Sequence, residues 1–146
     1  LAASYYRASA EAGHDWGEYN FGNMLFDGRG VPQDQPLALH WYLKAAHRGH
    51  ARAMNLAARC LEEGWGCTRA PAEAMEWYRR SAQAGYFRAQ FNYAAALAER
   101  GDGRAAAYWF EKAAASGDAA IRQSISRTLE HTHDDALMAL RVRCGL

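Results

Sequence analysis

The chain has 146 residues; half of them are apolar or aromatic, 23% are charged, and the formal net charge is +1. This balance excludes wholesale disorder. With no Lys/Arg run and no apolar stretch near the ~18 residues of a spanning helix, it also excludes a nucleic-acid binder and membrane insertion. Alanine is the commonest residue, while Val, Ile and Pro are scarce, which predicts an all-α chain. The chain opens at Leu1 rather than Met and shows no signal peptide, so upstream sequence and compartment stay open, the cytoplasm being favoured over the periplasm.

In chain order, Tyr5-Tyr6, Trp41-Tyr42, Trp77-Tyr78 and Trp109-Phe110 recur at steps of 36, 36 and 32 residues. Gly13, Gly49, Gly85 and Gly117 keep the same steps, and so do Ser9-Ala10, Ala45-Ala46, Ser81-Ala82 and Ala113-Ala114. Gly28-Arg29-Gly30-Val31 returns as Gly64-Trp65-Gly66-Cys67. Register agreement across several residue types marks an internal repeat.

Each unit reads as helix A, loop, helix B. Residues 1–12 form an orphan helix B; full units span 13–48 and 49–84; a shortened unit spans 85–116; capping helices fill 117–146. In the first full unit, helix A is predicted from Asp15 to Asp27, with Gly17, Phe21, Met24 and Leu25 on its apolar face. Gly22, equivalent to Ala58, Ala94 and Ser126, lets a neighbouring helix come close. Gly28 and Gly30 supply positive φ and end the helix. Asp34 caps helix B, with Pro36 in its first turn. Helix B is expected to bury Leu37, Ala38, Trp41, Tyr42 and Ala45. Trp41, Trp77 and Trp109 read as core. Trp65 reads as an exposed loop residue, either a contact residue or a lid on the core. In the closing pair, Ile121, Ile125 and Leu129 continue the helix-A face, and Ala136, Leu137, Ala139 and Leu140 lie on the last helix.

Gly49-x-x-x-Ala53, Phe21-Gly22-x-x-Leu25-x-x-Gly28-x-Gly30-Val31-x-x-Asp34 and Trp41-Tyr42-x-Lys44-Ala45-Ala46-x-x-Gly49 resemble the Sel1-like repeat, a relative of the tetratricopeptide repeat. The resemblance weakens in the third unit, which lacks the Gly-x-Gly-Val loop, and in the last. Ala70 replaces the usual Asp in the second. The resemblance implies an α-solenoid, a right-handed superhelix of antiparallel helix pairs with a concave groove lined by A helices. It implies a bacterial adaptor that binds a protein or peptide there, in a regulatory or complex-assembly role.

A groove position must lie on helix A, off the apolar face and off the small-residue stripe. Trp16, Tyr19, Asn23, Phe26 and Asp27 meet this in the first unit; Arg52, Asn55, Arg59, Glu62 and Glu63 in the second; Arg88, Phe91, Ala95, Ala98 and Glu99 in the third. The candidate partner-binding set is Trp16, Tyr19, Asn23, Asp27, Arg52, Asn55, Arg59, Glu63, Arg88, Phe91 and Glu99. Its aromatics offer either rigid anchors or packing between repeats. Arg52 and Arg88 near helix starts, and the acids near helix ends, oppose the helix dipole by ~0.3–1 kcal/mol each. A ligand with a charge gradient would compensate; so would pairing along the stack or solvent.

Enzyme readings fare worse. A cysteine-rich branch of the family resembles penicillin-binding proteins, but Ala46 and Met54 stand where its cysteines would fall. None of Ser4, Ser9, Ser81, Ser116, Ser124 and Ser126 has Lys three residues on, which leaves a hydrolase as the weaker alternative. Gly28-Arg29-Gly30 follows a helix and reads as a C-cap, not a phosphate loop. His131-Thr132-His133-Asp134-Asp135 is either a metal cluster or a polar turn in which Asp134 or Asp135 caps the last helix. His40, His47 and His50 fall around a helix end, where imidazoles suit the dipole. Cys60, Cys67 and Cys144 read as free thiols, with a Cys60–Cys67 bridge as the alternative. The reading is therefore a non-enzyme without cofactor or metal. It is taken as a monomer, with a self-associating module or dimer through the terminal helices as another possibility.

Overall fold

A computed structural model describes residues 1–146. Glycines and short polar residues punctuate the chain into nine helices: α1 (Ala2–Glu11), α2 (Asp15–Asp27), α3 (Gln35–His47), α4 (Ala51–Glu63), α5 (Pro71–Gln83), α6 (Phe87–Glu99), α7 (Gly103–Ser116), α8 (Ala119–Leu129) and α9 (Asp135–Cys144). There are no strands, and the fold is an all-α repeat. Helix α2 has the predicted bounds. It stops because Gly28 takes φ +71° and turns its N–H back to the Met24 carbonyl. A side chain in that left-handed conformation would be strained. Asp34 then starts α3 by accepting a hydrogen bond from the Leu37 N–H, with Pro36 in the first turn. Asp102, Asp118 and Asp134 cap α7, α8 and α9 in the same way.

The chain divides into two compact units, Leu1–Ser81 and Ala82–Leu146. The first is built on Phe21, Leu25, Ala38, Tyr42, Ala53 and Leu61, all nearly or fully buried. Small residues set how closely its helices approach. A Cβ on Gly22 would lie 2.8 Å from the Tyr42 ring, so α2 and α3 meet at a distance that only glycine allows. Gly17 is in the same position against Ser9. In the second unit Ala94, Ala106, Phe110, Ile125, Leu129 and Leu140 are fully or almost fully buried, and Leu137 turns inward with Leu140.

Some expectations change. Leu37 is 39% exposed rather than buried, and Trp41 and Trp109 are half-buried, whereas Trp77 lies in the core at 6%. Phe21 meets the Trp41 ring edge-on at 6.0 Å and takes the space beneath it. At the equivalent place below Trp77 the chain has Ala57, so Trp77 can sink. Trp65 is half-buried, with its ring against Phe26 at 5.5 Å and the Arg59 guanidinium 5.2 Å above it. All three cysteines are free. The Cys60–Cys67 bridge is not formed: Cys60 is buried, with its thiol pushed up to about 12 by that burial, and the Cys67 thiol donates to the Cys60 carbonyl at 3.5 Å.

Candidate functional site

Helices α2 and α4 and the residues between them carry the candidate positions of the first unit. Trp16 opens α2 and is 56% exposed. Its ring stands edge-on to Tyr19 at 5.7 Å and to His50 at 4.4 Å, while Tyr19 stacks on His50 at 4.8 Å. The three rings form one cluster with Trp16 on its outside. Tyr19 in turn touches Tyr42, and the Tyr42 hydroxyl donates to Asn23 Oδ1 at 2.7 Å. Burial and the nearby Cys60 and Asp27 raise the Tyr42 phenol far above its ordinary value, so it stays a donor.

His50 holds this cluster from below. It precedes α4 and accepts a hydrogen bond from the Ala53 N–H on Nδ1 at 3.1 Å. Its Nε2 is buried without a partner. An Nδ1 used as an acceptor places the proton on Nε2, so the ring is the neutral Nε2–H tautomer. Burial and Arg52 lower its pKa, against an opposing pull from Asp15. Sequence reading placed His50 at a helix end but missed its part in the cluster. The signal was available: His14 stands one repeat earlier at the same N-cap position, flanked differently and making no cap bond.

On α4, Arg52, Arg59 and Glu63 are exposed. Arg59 lies over Trp65, which ties it to the loop after its own helix. Asn55 is only 4% exposed and so is not a surface position. Helix α4 is flanked by α3 on one side and by α5 on another, where Ser81 Oγ donates to the Ala51 carbonyl and the Tyr78 hydroxyl to Glu62. A residue off the apolar face of such a helix is still covered. Asp27, at the end of α2, pairs with Arg29 at 3.1 Å. Several charges that oppose the helix dipole thus have local partners.

In the second unit, Arg88 lies over the ring of its neighbour Phe87, Phe91 packs edge-on against Phe110 at 5.8 Å, and Glu99 is exposed. Phe91 is half-buried and contributes to packing. Asp134 caps α9 through the Leu137 N–H, and its carboxylate lies so close to Gly103 that any Cβ there would overlap it. No group of three or more His, Cys, Asp or Glu side chains is placed to hold a metal ion. No helix is long and apolar enough to cross a membrane.

Comparison with known proteins agrees with this architecture. No curated protein matches the sequence. Among solved structures, the chain is similar to c5321, a protective antigen of uropathogenic Escherichia coli with an SLR fold: 28% identity, TM-score 0.82, over 97% of this chain and 31% of that one. The chain thus spans about a third of that antigen. It is also similar to a Sel1 repeat protein from Oxalobacter formigenes, with 27% identity and a TM-score of 0.70, over 83% of this chain and 94% of that one. The Sel1 repeat model matches residues 1–14, 17–50, 51–86 and 88–118. With that much of its length matched, and every matched stretch folded into helices, the chain belongs to the Sel1 repeat family.

Proposed function

We propose that this is a non-catalytic interaction module, and that the α2–α4 face of the first unit holds a segment of a protein partner. Sel1 repeats are commonly protein–protein interaction modules, which supports the general reading. The observation that carries the specific one is Trp16. A tryptophan left 56% exposed, yet braced by Tyr19 and His50, is a rigid apolar anchor whose ordering cost is already met by its neighbours. Arg52 on α4 adds an exposed cation for a carboxylate. Tyr19, Asn23 and Asp27 follow along α2 and Arg59 and Glu63 along α4, while Asn55 is buried. Arg88 and Glu99 are exposed positions on α6 and belong to the second unit's own surface.

The test is a comparison of partner capture and of selection from a random peptide library, using wild type, Trp16→Ala and Arg52→Glu. Peptides enriched by wild type should carry an apolar anchor and an acidic group. Each variant should lose at least tenfold in affinity while keeping its circular dichroism spectrum. Selection of the same peptides by folded Trp16→Ala would place binding elsewhere.

A further inference from the structure

Beside Trp16, one hydrogen-bond donor is already held in place. Asn23 follows Trp16 by seven positions, two turns of α2, so the two side chains share one stripe of the helix with Tyr19. The Tyr42 hydroxyl reaches across from α3 and donates to Asn23 Oδ1 at 2.7 Å. Burial keeps the proton on that hydroxyl. Turning the amide over would set Nδ2 against the O–H and leave a buried donor without an acceptor. Tyr42 therefore fixes the amide with Oδ1 toward itself and Nδ2 away. Nδ2 makes no hydrogen bond within the chain, and it is not among the unpartnered atoms shut off from solvent, which are Glu18 Oε2, Trp41 Nε1 and His50 Nε2.

The neighbouring repeats show that the fold does not need this pair. One step on, Tyr78 keeps the hydroxyl but Arg59 replaces Asn23. The hydroxyl donates to Glu62 instead, and Arg59 lies over Trp65. In the next repeat Phe110 and Ala95 stand at the two positions, with neither hydroxyl nor amide, and Phe110 is fully buried all the same.

We propose that Asn23 Nδ2 donates to a main-chain carbonyl of the partner segment, which lies extended along α2 with its apolar anchor on Trp16. This rests on the assignment of Trp16 as an anchor and adds a contact that is indifferent to the partner's side chains. Seven helical positions rise about 10 Å. At about 3.3 Å per extended residue, the carbonyl belongs to the third residue from the anchor. Because Tyr42 has already oriented the amide, the partner does not meet the cost of ordering it. Asn23 is the contact residue and Tyr42 its positioning residue.

The probes are N-acetyl-Phe-Ala-Ala-Ala amide and, for the opposite chain direction, N-acetyl-Ala-Ala-Ala-Phe amide, both uncharged. Each is titrated while the Trp16 indole N–H and the Asn23 side-chain NH2 are followed by NMR, assigned through Trp16→Phe and Asn23→Asp. One probe should saturate with a Kd on the order of 1 mM, moving the Trp16 signal and shifting one Asn23 amide proton downfield. Asn23→Asp keeps an acceptor for Tyr42 but has no donor. It should weaken binding about fivefold, the worth of one neutral hydrogen bond. Tyr42→Phe leaves Asn23 in place but frees its amide, so the downfield shift on binding should shrink and affinity fall about twofold. A Trp16 signal that saturates while the Asn23 amide stays still overturns the Asn23 contact and leaves the Trp16 anchor standing. So does folded Asn23→Asp binding as tightly as wild type. If neither signal moves with either probe, the Trp16 anchor fails and this contact with it. The wild-type signals decide the matter even where a variant does not fold.

Discussion

At the residue scale, three side chains show how much the first unit depends on single contacts. Glu18 is fully buried, and one of its carboxylate oxygens accepts from Arg48 Nε at 2.8 Å while the other has no partner. Arg48 is half-exposed, so solvent screens its side of the pair. Removing it nevertheless leaves a buried carboxylate unpaired. Arg48→Ala should cost about 3 kcal/mol in urea denaturation, far more than an ordinary surface change. Gly22→Ala should lose about 1–2 kcal/mol, because the added Cβ meets the Tyr42 ring and outweighs the gain in helix propensity. His50 introduces a pH dependence. Its folded pKa lies below the ordinary 6.5, so the unfolded chain takes up the proton more readily. The stability it contributes is fully present above pH 6.5 and falls as pH drops below that value. Arg52 reinforces the effect and Asp15 opposes it. Protonation also removes the lone pair that caps α4. His50→Asn keeps a capping acceptor but cannot titrate there. The acid-side loss of the urea midpoint should therefore flatten in that variant, and an unchanged slope would assign the loss to other groups.

At the element scale, helix boundaries were the most legible part of the sequence and helix surroundings the least. Gly28, Gly30, Asp34 and Pro36 are local signals that act through φ and capping, and they mark the end of α2 and the start of α3 without reference to the rest of the fold. Asp34→Ala should therefore cost about 1 kcal/mol, and Asp118→Ala about the same, in thermal or urea melts. Burial of individual side chains was harder to read. Asn55 looked like a surface residue because it lies off the apolar stripe, but α3 and α5 both flank α4. Leu37 and Trp41 looked like core because they lie on the stripe, yet Phe21 fills the space under Trp41. A helical period specifies which residues share a face. It does not specify how many neighbours cover that face, because this depends on side-chain volumes contributed by distant parts of the chain. The candidate site was legible to the same extent: Trp16 and Tyr19 were visible as aromatics of helix A, while the third ring, His50, belongs to the next repeat.

At the scale of the whole molecule, the self-similarity that revealed the repeats also governs stability. Each helix pair leaves apolar surface that only an adjoining pair can cover, so stability accumulates unit by unit. Residues 1–84 include the whole first compact unit and complete α5. This fragment should fold alone, with a helical circular dichroism spectrum and a cooperative melt. Helices α2 to α6 have 13 residues each and α7 has 14, although the sequence period drops from 36 to 32. The shortening falls in the connections. Residues 28–34 and 64–70 each make a seven-residue link, and 100–102 a three-residue one. In the long links the second glycine presses on the first turn of an earlier helix: a Cβ on Gly30 would lie 3.3 Å from Ala3, and one on Gly66 2.5 Å from the Gln35 backbone. Gly101 meets nothing within 4 Å. The long links are clasps and the short one is a plain joint. Extra residues spliced in at Gly101 would swing into open space, whereas the same insertion at Gly66 would have to prise up the beginning of α3.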